Sequence, residues 1–256
     1  MMNFEIKHIE ETDSTNRWMK ENGAGNLVVV ADYQTAGKGC GTNSWESERG
    51  QNLLFSVMIH PESLQAKNQF IITQVVSVAL CKTLERYLLH PTLGSAASPR
   101  EEPLLPGGGE HVVAIKWPND IYVGDKKICG VLIENRLAGR MIKDSIIGIG
   151  LNVNQQEFKS DAPNPVSIRQ LTGRDTNREE LLEAFLAELN ECCKSQTIIA
   201  DYKARLYRRE GLHPYSSGDE TFRASIVDVK DDGRLVLQDE NGIAHMYRFK
   251  EVQFII

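Results

Sequence analysis

Polar and apolar residues alternate from Phe4 to Ile9, which predicts a short strand over residues 3–9. Asp13-Ser14-Thr15-Asn16 then offers capping side chains for a helix reaching Asn22. Apolar runs at 27–31 and 53–59 read as strands, the second ended by His60-Pro61. Residues 34–52 between them are polar, glycine-bearing and fit neither period. Phe70, Ile71, Gln74, Val75, Val78, Leu84 and Leu88 lie on one face of a long helix predicted over 66–90. Stretches rich in β-branched residues at 112–115, 128–133 and 146–153 predict neighbouring strands of one sheet. Helices follow over 178–195, with Leu181, Leu182, Phe185 and Leu189 inward, and over 201–209. The pattern then changes to short strands near 222–229, 235–237 and 245–249, separated by turns at Asp231-Asp232-Gly233 and Asn241-Gly242. The expected architecture is an α+β body over residues 1–212 with a small β-barrel appended over 213–256.

Residues 91–110 break the pattern. They carry no period, hold Pro91, Pro99, Pro103 and Pro106, and include Gly107-Gly108-Gly109, so a disordered surface insertion is expected there. Lys plus Arg number 29 against 35 Asp plus Glu, a formal charge of −6, which argues against a body built mainly to bind nucleic acid. No apolar run is long enough for a spanning helix, and the start has no signal-peptide stretch, so a cytoplasmic location is expected. Cys40, Cys81, Cys129, Cys192 and Cys193 form no CxxC pair, and the histidines show no zinc spacing.

Four stretches offer chemistry. In Gln34-Thr35-Ala36-Gly37-Lys38-Gly39-Cys40-Gly41-Thr42-Asn43-Ser44-Trp45, glycines permit close approach and exposed N–H groups suit an anion; Trp45 can wall a pocket. Lys116-Trp117-Pro118-Asn119-Asp120 presents three polar groups where a strand stops, and Asp120 suits magnesium. Lys127 stands at the entrance of a strand in which Gly130 lets a ligand lie flat. Gly148-Ile149-Gly150-Leu151-Asn152 places two glycines in a strand, which leaves room for something, and Asn152 is its polar reader. No Ser-His-Asp array, paired-carboxylate hydrolase site or metal cage is present in the pattern. Lysines, one Asp and backbone donors around an apolar slot suit an enzyme that holds two anions together.

These motifs, taken in order from Asp13-Ser14-Thr15-Asn16 through Gln34–Trp45, Gln51-Asn52-Leu53, Lys116–Asp120 and Lys127–Glu134 to Gly148–Asn152, resemble the biotin protein ligases. The resemblance covers nearly the whole chain. It implies a biotin–[acetyl-CoA-carboxylase] ligase with a mixed β-sheet backed by helices, followed by an SH3-like barrel. It implies that Ser14, Thr15, Asn16 and Gln34 bind the ureido head of biotin, and that Gly37, Lys38, Gly39 and Cys40 form a closing loop. Trp45 would shelter biotin and the adenylate. Lys127 would be the catalytic lysine at the biotin carboxylate and α-phosphate, over a strand formed by Gly130, Val131 and Leu132. Lys38, Cys40, Asn43, Lys116, Asn119 and Asn152 would face ATP, Asp120 would take Mg2+, and residues 135–144 would order over adenine, with Arg136 or Arg140 there.

The implied reaction uses ATP and Mg2+ to activate biotin as biotinyl-5′-AMP and transfers it to a lysine of a biotin carboxyl carrier protein. Monomers and homodimers both occur among such ligases. Catalytic motifs beginning at Ser14 lead to the expectation of a short form without an N-terminal DNA-binding domain, and no nucleic-acid or membrane partner is expected. The loop departs from the family's arginine-rich pattern: Cys40 and Asn43 stand where arginines are usual, so fewer cations would face the phosphates. The alternatives are a lipoate or octanoate ligase of the same fold, and a non-catalytic biotin-sensing regulator.

Overall fold

The computed structural model describes residues 2–39, 44–89, 112–159 and 164–256. The expected insertion at 91–110 and the loop positions Cys40 and Asn43 lie outside these residues.

A seven-stranded sheet runs in the order β1-β2-β3-β7-β6-β5-β4. Its strands are β1 (Glu5–Thr12), β2 (Leu27–Gln34), β3 (Leu53–Ile59), β4 (Val113–Lys116), β5 (Asp120–Val123), β6 (Lys126–Ala138) and β7 (Met141–Leu151). β1 and β2 are parallel and the other neighbours antiparallel, so the sheet is mixed. The three stretches expected as neighbours do share this sheet, but β5 intervenes between β4 and β6. A four-residue strand placed directly after Trp117-Pro118-Asn119 has too short a pattern to read.

Strand alternation divides the sheet into two faces. Val28, Val30, Phe55, Val57, Ile147 and Ile149 enter the main core. Helix α2 (Phe70–Leu89) joins that core and packs on the short α3 (Ile168–Thr172), on α4 (Arg178–Cys192) and on α5 (Ile198–Ala204). Asn177 caps α4, its side chain accepting from the N–H groups of Glu179 and Glu180. Helix α5 starts three residues before the expected 201 and stops at Ala204. Among the described residues, the helix on the opposite face is α1 (Thr15–Asn22), which seals Met19 against Leu27, Val29, Met58 and Ile146. Beyond α1 that face presents Ser56, Gly130, Leu132, Gly148 and Gly150, and the candidate chemistry collects there.

A second sheet follows α5. It contains β8 (His213–Ser217), β9 (Glu220–Val229), β10 (Leu235–Asp239), β11 (Ala244–Tyr247) and β12 (Gln253–Phe254), in the order β11-β10-β9-β8-β12. This corrects the expected SH3-like barrel. The sheet is antiparallel and open, because β11 and β12 are its two edges and do not pair with each other. The two-residue β12 pairs only with β8, which is too little strand to close the ring. The two sheets pack together through Trp117, whose Nε1 donates to Gly233 O at 2.9 Å and whose ring meets Phe249 edge-on at 6.0 Å. Lys203 adds an ion pair to Asp228 at 2.6 Å.

Candidate active site

Ser14 occupies the N-cap of α1 and is buried, although its side chain makes no capping bond. The next residue ties the helix to the end of β2: Thr15 N and Oγ1 both donate to Gln34 Oε1, at 2.7 and 3.0 Å. Asn16 turns onto the sheet. Its Nδ2 donates to Glu134 Oε2 at 2.9 Å and to Leu132 O at 3.3 Å. Ser56, the lone polar residue of β3, lies under both, with its Oγ 2.8 Å from Thr15 Oγ1 and 2.7 Å from Asn16 Oδ1. Ser14, Thr15, Asn16 and Ser56 are all buried. Sequence reasoning did not single out Ser56 or Glu134. Ser56 had a signal, a hydroxyl within an otherwise apolar strand; Glu134 closed a quoted motif without a role.

The strand glycines do leave room, and the structure shows what fills it. A Cβ built on Gly148 would meet Asn16 Cγ at 2.8 Å and Nδ2 at 3.1 Å, with Oδ1 closer still. One built on Gly150 would meet Trp45 Nε1 at 2.6 Å, and one on Gly130 would meet Trp45 Cζ3 at 2.8 Å. The indole therefore lies flat on Gly130 and Gly150, so in this structure the floor carries the protein's own side chains. Trp45 is positioned from the Gly37 turn, its backbone N–H donating to Gly37 O at 2.9 Å. Lys38 pairs with Ser44 in an antiparallel bridge and is exposed; Gly39 is half-buried.

Lys127 reaches the same place from β6. Its Nζ lies 5.8 Å from the Trp45 ring centroid and 2.7 Å from Asp120 Oδ2. Its backbone is held by residues 164–166: Lys127 N donates to Asn164 O at 2.8 Å, and Val166 N to Lys127 O at 2.9 Å. Lys116 is Asp120's cross-strand partner. Its Nζ sits 5.6 Å from the Tyr122 ring and 5.2 Å from that of Phe254, in the second sheet. Burial lowers the Lys116 pKa; Asp120 opposes that shift, and Lys127 and Arg208 add to it. Asn119 Nδ2 donates to Val131 O at 3.2 Å.

Two residues and one segment are placed differently from their reading. Val131 turns its side chain into the main core, away from Gly130 and Leu132, so only its backbone borders the site. Asn152 is buried and donates to Val166 O at 3.1 Å; its Oδ1 is buried without a partner. Residues 135–144 form no loop over the site. They are the paired ends of β6 and β7, turning at Gly139, whose φ of 63° suits glycine. Arg136 is held there by buried Asp144 at 2.5 Å, and Arg140 lies in the turn.

No group of three or more His, Cys, Asp or Glu is placed to hold a metal among the described residues. A separate polar cleft of about 430 Å³, lined by Glu48, Gln51, Asn154, Gln156, Glu157 and Arg169, does not include the Lys127–Asp120 pair.

The family model for the biotin/lipoate A/B protein ligases matches residues 7–152, more than half of the chain. The chain belongs to that family. The match contains Ser14, Gln34, Trp45, Asp120, Lys127 and Asn152 alike. Among members of this ligase family, the bifunctional ligase/repressor BirA of Bacillus spizizenii is 27% identical over 263 residues, covering 93% of this chain and 70% of that protein. BirA of Escherichia coli is 26% identical, covering 80% of this chain and 55% of that protein. The fold is similar to the biotin protein ligase of Aquifex aeolicus in complex with biotin and ATP, at a TM-score of 0.74 and 23% identity, covering 98% of this chain and 99% of that one.

Proposed function

We propose that the protein is a biotin–protein ligase acting on a biotin carboxyl carrier protein. One juxtaposition carries this reading. On a single sheet face, a hydrogen-bonding end made by buried Thr15, Asn16 and Ser56 with half-buried Gln34 shares a glycine-floored strip with the Lys127–Asp120 pair beside Trp45. A ligand with a polar head, an apolar body and a carboxylate tail matches that order. Biotin's ureido group can exchange hydrogen bonds with these amides and hydroxyls, whereas lipoate and octanoate end in apolar groups that cannot. The polar end therefore favours biotin within this ligase family.

In the first step, a biotin carboxylate oxygen attacks the α-phosphorus of ATP, forming the acyl–phosphate bond of biotinyl-5′-AMP and expelling pyrophosphate. Both reactants are anions, and Lys127 offsets their repulsion as charge builds on the phosphoryl oxygens. In the second step, a carrier lysine amine attacks the acyl carbon, forming the amide, losing a proton and releasing AMP. Trp45, seated on the glycine floor, walls the intermediate, and Gly37, Lys38 and Gly39 exclude water beside it. Lys116 and Asn119 face the nucleotide, and buried Asn152 braces the end of β7 from beneath through Val166 O. Residues 1–212 are assigned to this chemistry and 213–256 to a supporting C-terminal unit.

Asp120 offers the site a single carboxylate, which suits Mg2+ held chiefly by substrate phosphates and water. When bound there, that ion would neutralise phosphate charge.

ATP–pyrophosphate exchange measured with biotin, lipoate or octanoate tests the reading. Exchange driven by biotin alone is expected. Exchange driven by octanoate or lipoate, with biotin silent, would overturn it.

A further inference from the structure

Asn52 and Gln155 are fully buried amides outside the groups assigned above. They pack side to side, Asn52 Nδ2 donating to Gln155 Oε1 at 2.6 Å. Gln155 Oε1 also accepts from Glu48 N at 3.0 Å. Its Nε2 donates to Glu157 O at 2.8 Å and to Glu46 Oε1 at 3.4 Å. Asn52 Oδ1 accepts from Val153 N at 2.9 Å, and its Nδ2 also reaches Ser47 Oγ at 3.2 Å. Glu46 Oε1 in turn accepts from Lys159 N at 2.8 Å. Every donor and acceptor site of the Gln155 side chain is used, which is the condition under which a buried polar network rigidifies its surroundings.

The network joins two segments. One is 46–52, which connects Trp45 to β3; the other is 153–159, which leaves β7 just beyond Gly150 and Asn152. Trp45 is covalently next to Glu46 and rests on the glycine at the end of β7. The same amides thus fix the indole's chain to the strand that the indole covers.

We infer that Asn52 and Gln155 are positioning residues that hold Trp45 over the glycine floor and thereby retain the acyl-adenylate until the carrier arrives. The inference rests on the biotin-ligase reading and goes beyond it by assigning retention to a tie remote from the reacting atoms. Neither amide touches substrate in this scheme. Their loss is therefore expected to raise the rate at which preformed intermediate escapes more than it slows its formation.

The test compares single-turnover formation of biotinyl-adenylate with release of the preformed, labelled intermediate. Gln155→Met keeps the length of the side chain and removes its hydrogen bonds. Release about tenfold faster than wild type is expected, with formation changed less than threefold. Glu46→Ala cuts the tie from its half-buried end and is expected to raise release more modestly, so it decides the matter should Gln155→Met not fold. In Gln155→Glu, two carboxylates face each other and the donors are gone; adding Glu46→Gln returns a donor to that contact and is expected to recover slow release. A purely structural amide pair would lower the melting temperature and leave release from the folded protein unchanged. Wild-type release in a folded Gln155→Met protein, or in Glu46→Ala if Gln155→Met does not fold, would overturn the inference. Failure of the wild type to form any adenylate from biotin and ATP would instead remove the functional reading beneath it.

Discussion

Substituting Gly148 by alanine tests whether the glycines of β7 exist to seat the protein's own recognition groups. The new methyl would stand 2.8 Å from Asn16 Cγ, where ordinary contact begins at 3.4 Å, so the amide must withdraw by at least about 0.6 Å. Its oxygen, closer still, must move further. The amide is held by Ser56 at 2.7 Å, Glu134 at 2.9 Å and Leu132 O at 3.3 Å, and a movement of that size cannot preserve all three. Losing a neutral hydrogen bond costs about 1 kcal/mol and one to a charged group about 1.5–3 kcal/mol. Overpacking adds about 1–3 kcal/mol where the neighbours cannot yield. A destabilisation of about 2–4 kcal/mol is expected. At roughly 2–4 °C per kcal/mol for a chain of this size, the melting temperature falls by about 5–15 °C. Biotin affinity, measured by calorimetric titration below that temperature, is expected to fall with it. Adding Asn16→Ala to Gly148→Ala removes the clash, while Ser56 keeps Thr15 and Glu134 keeps Lys20 at 2.6 Å. The double variant should regain only the overpacking share of the melting temperature, about 1–3 kcal/mol, and none of the affinity. A Gly148→Ala protein that melts and binds biotin like wild type would refute the reasoning, as would a double variant no more stable than the single one.

Lys127→Ala should slow adenylate formation by roughly 10²–10³, the usual effect of one lost transition-state contact, with the fold retained; a wild-type single-turnover rate would deny the lysine its role. Asp120→Asn removes the charge that pairs with Lys127 and should shift the magnesium dependence of the rate more than biotin binding, as a magnesium titration at saturating biotin would reveal. Asp228 governs a pH effect between the sheets. Burial works to raise its pKa, but hydrogen bonds and charges from Lys203 and Lys230 outweigh it and bring the group to about 2, below the ordinary 3.8. A depressed carboxylate contributes stability above its unfolded pKa and loses it as pH falls through the folded one. Asp228→Asn should therefore cost on the order of 1 kcal/mol at neutral pH after solvent screening, and the difference from wild type should vanish between pH 3.8 and about 2 in denaturant melts. A constant difference across that range would assign the loss to packing.

The parts legible in the sequence were those with a strong local signal. β3 spans the apolar run from Leu53 to Ile59, and α4 begins at Arg178 as its apolar period indicates. β5, β8 and β12 were not legible. β5 has four residues, β8 contains Pro214, and β12 has two residues whose pairing is decided by Tyr215 and Ser216 far away in the chain. The barrel failed for the same reason: turn chemistry predicts hairpins, whereas closure depends on pairing between distant edges. At the site, the residue types of the motifs were visible, including the need for space at Gly148 and Gly150. What occupies that space was not, because the contact of Asn16 with Gly148 spans most of the large sheet in sequence. Gln155 left no local trace, since an amide in a polar stretch acquires its role only from partners at Glu46, Glu48 and Asn52.

The central claim, that this chain activates biotin and transfers it to a carrier lysine, is tested most directly by labelled biotin. The protein is incubated with it, MgATP and a purified biotin carboxyl carrier domain, beside a carrier whose acceptor lysine is replaced by arginine. Label is expected on the intact carrier, absent from the arginine form, and lost when ATP is omitted. An unlabelled carrier in the presence of well-folded protein, or equal transfer of octanoate or lipoate under the same conditions, would contradict the account.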